Sequence, residues 1–126
     1  MAVLPGIDLV ECERISDSIG RLGEAFLRRV FTPAECAYCG EHAQSAQRYA
    51  ARWAAKEAVA KALGCGIGEK AALVEIEVVR DEAGKPGIVL HGTAAATAAT
   101  MGVQEIQVSL THTALYAAAF VVVTTT

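Results

Sequence analysis

The longest regular pattern in the chain is a helix predicted over residues 45–63, S-A-Q-R-Y-A-A-R-W-A-A-K-E-A-V-A-K-A-L. The segment is rich in alanine and free of glycine and proline, and Gly64 follows it, as is typical of a helix end. Alanine side chains suit the close packing of a helix on a sheet, although each buries little area. We therefore expect a sheet against which this helix packs.

The other segments predict short strands and helices in the order β-α-α-α-α-β-β-α-β-β. The predicted strands cover residues 3–10, 74–80, 87–90, 105–110 and 114–123, and the other predicted helices cover 12–19, 24–30, 33–40 and 93–101. Gly20 and Gly23 separate the first two helices, Thr32-Pro33-Ala34-Glu35 has the residues of a helix cap, and D-E-A-G-K-P at 81–86 predicts a hairpin turn. This order indicates an α+β fold in which a mainly antiparallel sheet is packed by the long helix and shorter helices. The length favours a single domain over residues 1–126.

Composition argues against several classes of protein. The chain is 53% hydrophobic and 20% charged, so it is expected to fold. Its formal net charge of −3 gives no support for nonspecific nucleic-acid binding. The longest apolar run, residues 114–123, is shorter than the ~20 residues that a membrane helix needs, and the N-terminus lacks the features of a secretory signal. We expect a cytoplasmic protein with no nucleic-acid or membrane partner.

The cysteines are Cys12, Cys36, Cys39 and Cys65. In a chain that is not exported they are expected to be reduced thiols rather than disulfides. Cys36, Cys39 and His42 form a C-x₂-C-x₂-H pattern, which has the spacing of half a zinc site, but no second pair of ligands accompanies it. Helix thiols that are buried or partly buried are the favoured interpretation.

Three polar positions interrupt apolar patterns. Asp8 lies within I-D-L-V, where it either faces water at a strand end or is buried with a partner or a metal. Glu57 and Lys61 are four residues apart on the long helix, either as an exposed ion pair or at the border of a cleft. The segment S-L-T-H-T at 109–113 predicts a polar turn between two strands, and its hydroxyls and imidazole could also bind a phosphate. Each pattern alone leaves both interpretations open.

Together these patterns resemble the holo-acyl carrier protein synthases, the small single-lobe group of phosphopantetheinyl transferases. The resemblance extends from G-I-D-L-V at 6–10 to the last strand and is most specific in R-W-A-A-K-E-A-V-A-K-A-L-G at 52–64. The segments G-I-G at 66–68, G-K-P at 84–86 and S-L-T-H-T at 109–113 follow in the family's order. The resemblance implies a 4'-phosphopantetheinyl transferase-like fold and a transfer of phosphopantetheine from coenzyme A to a carrier protein.

The resemblance also implies the roles of particular residues. Asp8 and Glu57 would be the ligands of Mg²⁺, a hard cation that takes one or two carboxylates together with substrate phosphate oxygens. Lys61 would join them in catalysis by neutralising phosphate charge. The implied contacts with coenzyme A are Arg52, Lys61, Gly68, Pro86, Thr111 and His112. The base that accepts the serine proton is left open among Glu57, a metal-bound water and His112.

Three arginines recur every seven residues near the N-terminus: Arg14, Arg21 and Arg28. As residues alone they are equally well explained as ordinary solvated side chains or as a small basic surface. The resemblance implies that they dock the acidic acyl carrier protein. It also implies a homotrimer with active sites at subunit interfaces.

Two other functions stay open at this point. The chain could be an idle nucleotide-binding or scaffold domain, against which the presence of Asp8, Glu57 and Lys61 argues. It could also be another Mg²⁺-dependent phosphoryl transferase or a phosphohydrolase. The glycine-rich segment G-C-G-I-G-E-K at 64–70 lacks the spacing of the usual phosphate loop, which argues against that function.

Overall fold

The structure, a computed structural model, describes residues 1–40 and 43–126. Its elements are β1 (Val3–Glu11), α1 (Cys12–Leu22), α2 (Glu24–Val30), α3 (Pro33–Cys39), α4 (Ser45–Leu63), a 3₁₀ turn (Leu73–Glu75), β2 (Ile76–Arg80), β3 (Pro86–Leu90), α5 (Gly92–Met101), β4 (Val103–His112) and β5 (Tyr116–Thr125). The order of helices and strands is the predicted one. The α+β prediction is confirmed.

Antiparallel pairing joins the strands. The larger sheet has the order β1-β5-β4, so the N-terminal strand pairs with the C-terminal one and Asp8 lies opposite Ala119. β2 and β3 form a separate antiparallel hairpin. The hairpin turn contains Gly84 at a φ of 87°, a left-handed conformation that glycine adopts without strain.

α4 packs across β1 and β5 through small side chains. Ala58 and Ala62 of α4 are buried where β1 crosses the helix. At this crossing a Cβ on Gly6 would overlap the backbone carbonyl of Ala58, so only glycine permits the observed approach. Because β1 lies so close to α4, the polar side chains of the strand that follow Gly6 reach the helix.

A buried ion pair joins α4 to the elements beside it. The Lys56 ammonium donates to Glu35 Oε1 at 2.7 Å, and both side chains are fully buried. It also donates to the carbonyl oxygens of Leu73 and Ile76 at 3.1 and 2.6 Å. Glu35 Oε2 accepts from the Val78 amide at 2.8 Å. Burial lowers the pKa of Lys56, and the Glu35 carboxylate opposes that shift.

Glu35 also completes the predicted cap of α3. Its Oε1 accepts from the Thr32 amide at 2.9 Å, while Thr32 Oγ1 accepts from the Glu35 amide at 3.2 Å. This reciprocal pair satisfies donors that a helix start leaves free. The Glu35 carboxylate therefore caps α3 and also binds Lys56 of α4.

The outer face of the larger sheet is apolar and exposed. Ile7, Leu9 and Phe120 are 63%, 67% and 47% exposed, and Ile7 lies directly opposite Phe120 across β1 and β5. Tyr116 extends this surface at the other end of β5. Adjacent large apolar side chains on one sheet face are typical of an interaction surface.

Three local predictions are wrong. Gly20 does not end the first helix, which continues to Leu22, because an exposed glycine costs a helix only ~1 kcal/mol relative to alanine. Val74 lies in the 3₁₀ turn rather than in a strand. The segment at 109–113 is not a turn, since Ser109 to His112 belong to β4 and the hairpin closes later, where Thr113 Oγ1 accepts from the Tyr116 amide at 3.1 Å. In the described part of the chain, no helix is long and apolar enough to cross a bilayer.

Candidate active site

The first group of functional side chains lies where β1 crosses α4. Asp8 alternates with the exposed Ile7 and Leu9, so its side chain points to the helix side of the strand and is only 14% exposed. The Lys61 ammonium donates to Asp8 Oδ1 at 2.9 Å and to the Ile7 carbonyl at 3.0 Å. Residues more than fifty positions apart are thus joined by an ion pair.

Glu57 lies one turn before Lys61 on the same helix and belongs to the same group. Burial and then the negative charge of Asp8 raise the pKa of the Glu57 carboxyl, while Lys61 and Arg14 lower it. The two carboxylates are therefore close enough to repel each other. The repulsion between Asp8 and Glu57 persists beside these two cations, and a bound metal cation would relieve it.

This pair fits Mg²⁺ bound together with a substrate. Both side chains offer hard carboxylate oxygens, and Mg²⁺ in phosphate sites is held by one or two carboxylates, waters and phosphate oxygens. Within residues 1–40 and 43–126, no group of three or more His, Cys, Asp and Glu side chains is placed to hold a metal. The pair thus suits a metal shared with a phosphate better than a site made of protein alone.

A second region collects arginines around one aromatic ring. The guanidinium carbons of Arg48, Arg52 and Arg80 lie 4.6, 4.4 and 4.5 Å from the centre of the Tyr38 ring. They line a cavity of about 270 Å³ together with Tyr38, Pro86 and His112. We call this cavity, with these six residues, the arginine cavity. Its positive charge suits an anionic ligand.

The arginine cavity contains three of the residues predicted to bind coenzyme A, namely Arg52, Pro86 and His112. Gly68 and Thr111 do not line it; Thr111 is exposed on β4, one position before His112. The first group, Asp8, Glu57 and Lys61, does not line it either. The structure thus brings the first group together, lines the arginine cavity with three further predicted residues, and leaves Gly68 and Thr111 outside that cavity.

Sequence reasoning missed part of the arginine cavity. Arg48 precedes Arg52 by four residues on α4, and this spacing could have indicated that both lie on one helix face. Arg80 ends β2 and Tyr38 lies on α3, and no pattern in the sequence connects them with α4. Sequence reasoning also missed the buried ion pair between Glu35 and Lys56.

The predicted docking arginines lie on two helices. Arg14 and Arg21 are exposed on α1 and line a groove with Glu11, Glu13, Asp17 and Ser18. Arg28 lies on α2 and pairs with Glu24 at 2.9 Å in an exposed position. Arg14 also lies 5.9 Å from the Trp53 ring centre and is near enough to Glu57 to lower its pKa. One docking arginine therefore borders the carboxylate group.

The cysteines are free thiols. Burial raises the pKa of Cys39 to about 11, and Cys36 is partly buried. These two residues match the expected helix thiols, whereas His42, the third residue of the zinc pattern, lies outside the described residues.

Comparison with known proteins identifies the family of this chain. The family model of the 4'-phosphopantetheinyl transferase superfamily matches residues 5–121. The holo-(acyl-carrier-protein) synthase of Koribacter versatilis is 45% identical over 117 residues, which cover 93% of this chain and 94% of that protein. The holo-(acyl-carrier-protein) synthase of Herpetosiphon aurantiacus is 48% identical, with coverage of 95% and 97%.

Solved structures show the same fold. The holo-(acyl-carrier-protein) synthase of Neisseria meningitidis superposes with a TM-score of 0.88 at 30% identity, covering 96% of this chain and 97% of that one. The Helicobacter pylori enzyme, solved in complex with coenzyme A, gives a TM-score of 0.86 at 30% identity, with coverage of 96% and 100%. The chain therefore belongs to the 4'-phosphopantetheinyl transferase superfamily, among its holo-(acyl-carrier-protein) synthases.

Proposed function

We propose that this chain transfers 4'-phosphopantetheine from coenzyme A to a serine of an acidic apo acyl carrier protein and uses Mg²⁺ to do so. The observation that supports this proposal is the group formed by Asp8 of β1 with Glu57 and Lys61 of α4. Two mutually repelling carboxylates beside one ammonium suit a metal-bound diphosphate. The family and the coenzyme A complex of the Helicobacter pylori relative indicate which diphosphate.

Each residue of the group has a task in this reaction. Asp8 and Glu57 would hold Mg²⁺, which supplies charge neutralisation to the diphosphate when bound. Lys61 is 53% exposed and reaches Asp8 across the crossing of β1 and α4, so its ammonium can also turn toward a phosphate oxygen. There it stabilises the negative charge that develops on the leaving group.

The chemistry is a phosphoryl transfer in which one P–O bond replaces another. The serine oxygen forms a bond to the β-phosphorus of coenzyme A, and the bond from that phosphorus to the bridging oxygen breaks. Adenosine 3',5'-bisphosphate leaves with the bridging oxygen, and the serine keeps the arm as a phosphodiester. The serine proton passes to a base, for which Glu57, a metal-bound water and His112 are the candidates, and catalysis consists mainly of positioning and charge neutralisation.

We further propose that the working enzyme is a homotrimer whose sites lie between subunits. Within one chain the carboxylate group and the arginine cavity do not share a wall, although coenzyme A would contact both. The apolar outer face formed by Ile7, Leu9 and Phe120 offers a surface by which copies associate. Association through this face would let the carboxylate group of one copy meet the arginine cavity of the next.

The carrier protein would dock beside the carboxylate group. Arg14 lies near Glu57 and packs by Trp53, so a partner bound there would present its serine to the site. Arg21 extends the same face of α1. Arg28 would contribute from α2 once its exposed pair with Glu24 exchanges for an acidic group of the partner.

Incubation with apo acyl carrier protein, coenzyme A and Mg²⁺, followed by intact-mass measurement, tests the activity. We expect the carrier protein to gain the mass of phosphopantetheine, and we expect the gain to be absent with a chelator and in Asp8→Ala. An unmodified carrier protein with every carrier tried would favour an idle domain of the same fold. A gain that persists with chelator would overturn the role of Mg²⁺.

Metal binding has a test that needs no activity. Mg²⁺ and coenzyme A together should raise the Tm of the wild type, because a ligand that binds only the folded state stabilises it. The metal-dependent part of that rise should be lost in Asp8→Asn. An equal rise in both proteins would contradict the assignment of Asp8 as a ligand.

A further inference from the structure

The arginine cavity has an unusual centre. Tyr38 lies on α3, while Arg48 and Arg52 come from α4 and Arg80 comes from the end of β2. All three guanidinium groups lie within 4.6 Å of the centre of its ring. Two other elements, α4 and β2, thus bring arginines to one aromatic side chain of α3.

Like charges would separate these guanidinium groups if nothing held them together. The hydrogen bonds that they donate go to backbone carbonyls: Arg48 to Tyr38 at 3.4 Å, Arg52 to Arg48 at 3.3 Å and Arg80 to Gly84 at 3.3 Å. In residues 1–40 and 43–126, none of the three forms an ion pair with a carboxylate. The Tyr38 ring is what the three share, and the negative potential over the faces of this ring attracts each of them.

This arrangement of guanidinium groups can bind a compact anion. Each guanidinium carries five donors in a planar fork, and the single carbonyl contact described leaves most of them to a ligand. Arg52 is only 5% exposed, so its position is set by packing, and Pro86 and His112 close the wall. A phosphate monoester has the charge and the number of acceptor oxygens to satisfy such a receptor.

Coenzyme A carries a diphosphate and a phosphate monoester on its ribose. The diphosphate is the reacting group and so belongs with Asp8, Glu57 and Lys61. The ribose 3'-phosphate remains for the arginine cavity, and this assignment rests on the proposed function.

We propose that Tyr38 is a positioning residue that holds Arg48, Arg52 and Arg80 together for this phosphate, and so sets the preference for coenzyme A over 3'-dephospho-coenzyme A. The tyrosine acts through the arginines. Its loss should leave every charge in the chain and allow the guanidinium groups to move apart. Affinity for the 3'-phosphate would then fall without a change in the chemical step.

The test compares Tyr38→Leu, which removes the ring, with Tyr38→Phe, which removes only the hydroxyl. Calorimetry measures the binding of adenosine 3',5'-bisphosphate and of adenosine 5'-monophosphate to each protein. We expect Tyr38→Leu to lose about tenfold in its preference for the bisphosphate and Tyr38→Phe to keep the wild-type preference. In the transfer assay, Tyr38→Leu should raise the KM for coenzyme A, with kcat and the KM for 3'-dephospho-coenzyme A unchanged.

Arg80→Gln gives a second measurement that does not depend on α3, and Lys85→Gln removes a charge from the same hairpin outside the arginine cavity. Arg80→Gln should reduce the preference and Lys85→Gln should not. Equal losses in these two variants, or equal losses in Tyr38→Leu and Tyr38→Phe, would overturn the proposal. A wild type that prefers the bisphosphate but modifies no carrier protein would refute the proposed function and leave this inference standing.

Discussion

Lys56 and Glu57 are consecutive on α4, yet each belongs to a carboxylate–lysine group of a different kind. Lys56 pairs with Glu35 where both side chains are fully buried, and backbone groups complete the hydrogen bonds of both. Glu57 shares its surroundings with Asp8 and Lys61, and burial, followed by the charge of Asp8, raises its pKa. One group is a single ion pair whose charges balance within the core, and the other places two carboxylates near each other.

The difference teaches how stability and function divide along one helix. In the part of the chain that the structure describes, every buried side-chain nitrogen and oxygen has a hydrogen-bond partner, so the Glu35–Lys56 pair needs no ligand. In the Asp8–Glu57–Lys61 group, Lys61 is half-exposed and the two carboxylates repel each other, which a bound cation would relieve. A carboxyl whose pKa is raised by burial and by a second carboxylate, rather than the presence of ionic groups, is what marks the candidate functional site.

The largest expected effect comes from breaking the balanced pair. Lys56→Met leaves the Glu35 carboxylate buried without its partner, and we expect a loss of about 3–5 kcal/mol in the free energy of unfolding. Combining Lys56→Met with Glu35→Gln should recover most of that loss, because no buried charge remains. Urea denaturation measures both. A loss below ~1 kcal/mol in the single variant would contradict the structural role.

Lys61→Met tests the group formed by Asp8, Glu57 and Lys61. We expect kcat for transfer to fall about 10²-fold, equivalent to ~2.7 kcal/mol, because the cation beside the diphosphate is lost. Stability should change by less than ~1 kcal/mol, since Lys61 is half-exposed. The exposed Lys70→Met serves as the control in the same assay. Unchanged kcat in Lys61→Met would remove Lys61 from the mechanism.

Gly6→Ala sharpens the comparison by separating β1 from α4. The added methyl group overlaps the Ala58 carbonyl, so we expect a loss of about 1–3 kcal/mol and a weaker contact between Asp8 and Lys61. Transfer activity should fall more than in a variant equally destabilised elsewhere. Gly20→Ala is the matched control, because nothing lies within 4 Å of a Cβ there and the change should stabilise α1. Equal stability of the two variants would contradict the close crossing.

Glu57→Gln should give the smallest effect on stability, and of the opposite sign. Burial and Asp8 raise the folded-state pKa of Glu57, so its charge destabilises the metal-free fold fully above that pKa, and the penalty vanishes as pH falls below the unfolded value. With chelator present, we expect Glu57→Gln to have the higher Tm at pH 7 and to match the wild type at pH 3. Transfer activity should be lost. A lower Tm for Glu57→Gln at pH 7 would contradict the raised pKa of Glu57 in the folded state.

The sequence predicted those features that short segments determine. The Thr32–Glu35 cap needs only four neighbouring residues, and it lies where it was predicted. The α+β order followed from helix and strand patterns of the same local kind. The group of Asp8, Glu57 and Lys61 was found because their segments resemble a family, since spacing alone cannot show that β1 crosses α4 at Gly6.

The rest depends on contacts that local patterns do not encode. The cap accounts for Glu35 fully, so nothing in the sequence indicated its second bond to Lys56. Tyr38 and Arg80 meet only after α3 and the β2–β3 hairpin pack beside α4. The length of β4 was underestimated, because Ser109 to His112 have polar side chains that suit a turn and also an exposed strand face.

The adjacency of Lys56 and Glu57 also restricts how α4 can change in evolution. Successive residues on a helix differ in direction by about 100°, so one residue inserted before this point would turn the interior lysine toward Asp8 and would turn Glu57 into the core, and one deleted residue would turn Glu57 to the interior position of Lys56. The residues in the middle of α4 must keep their directions around the helix axis, so any change in the length of α4 there must come in whole turns.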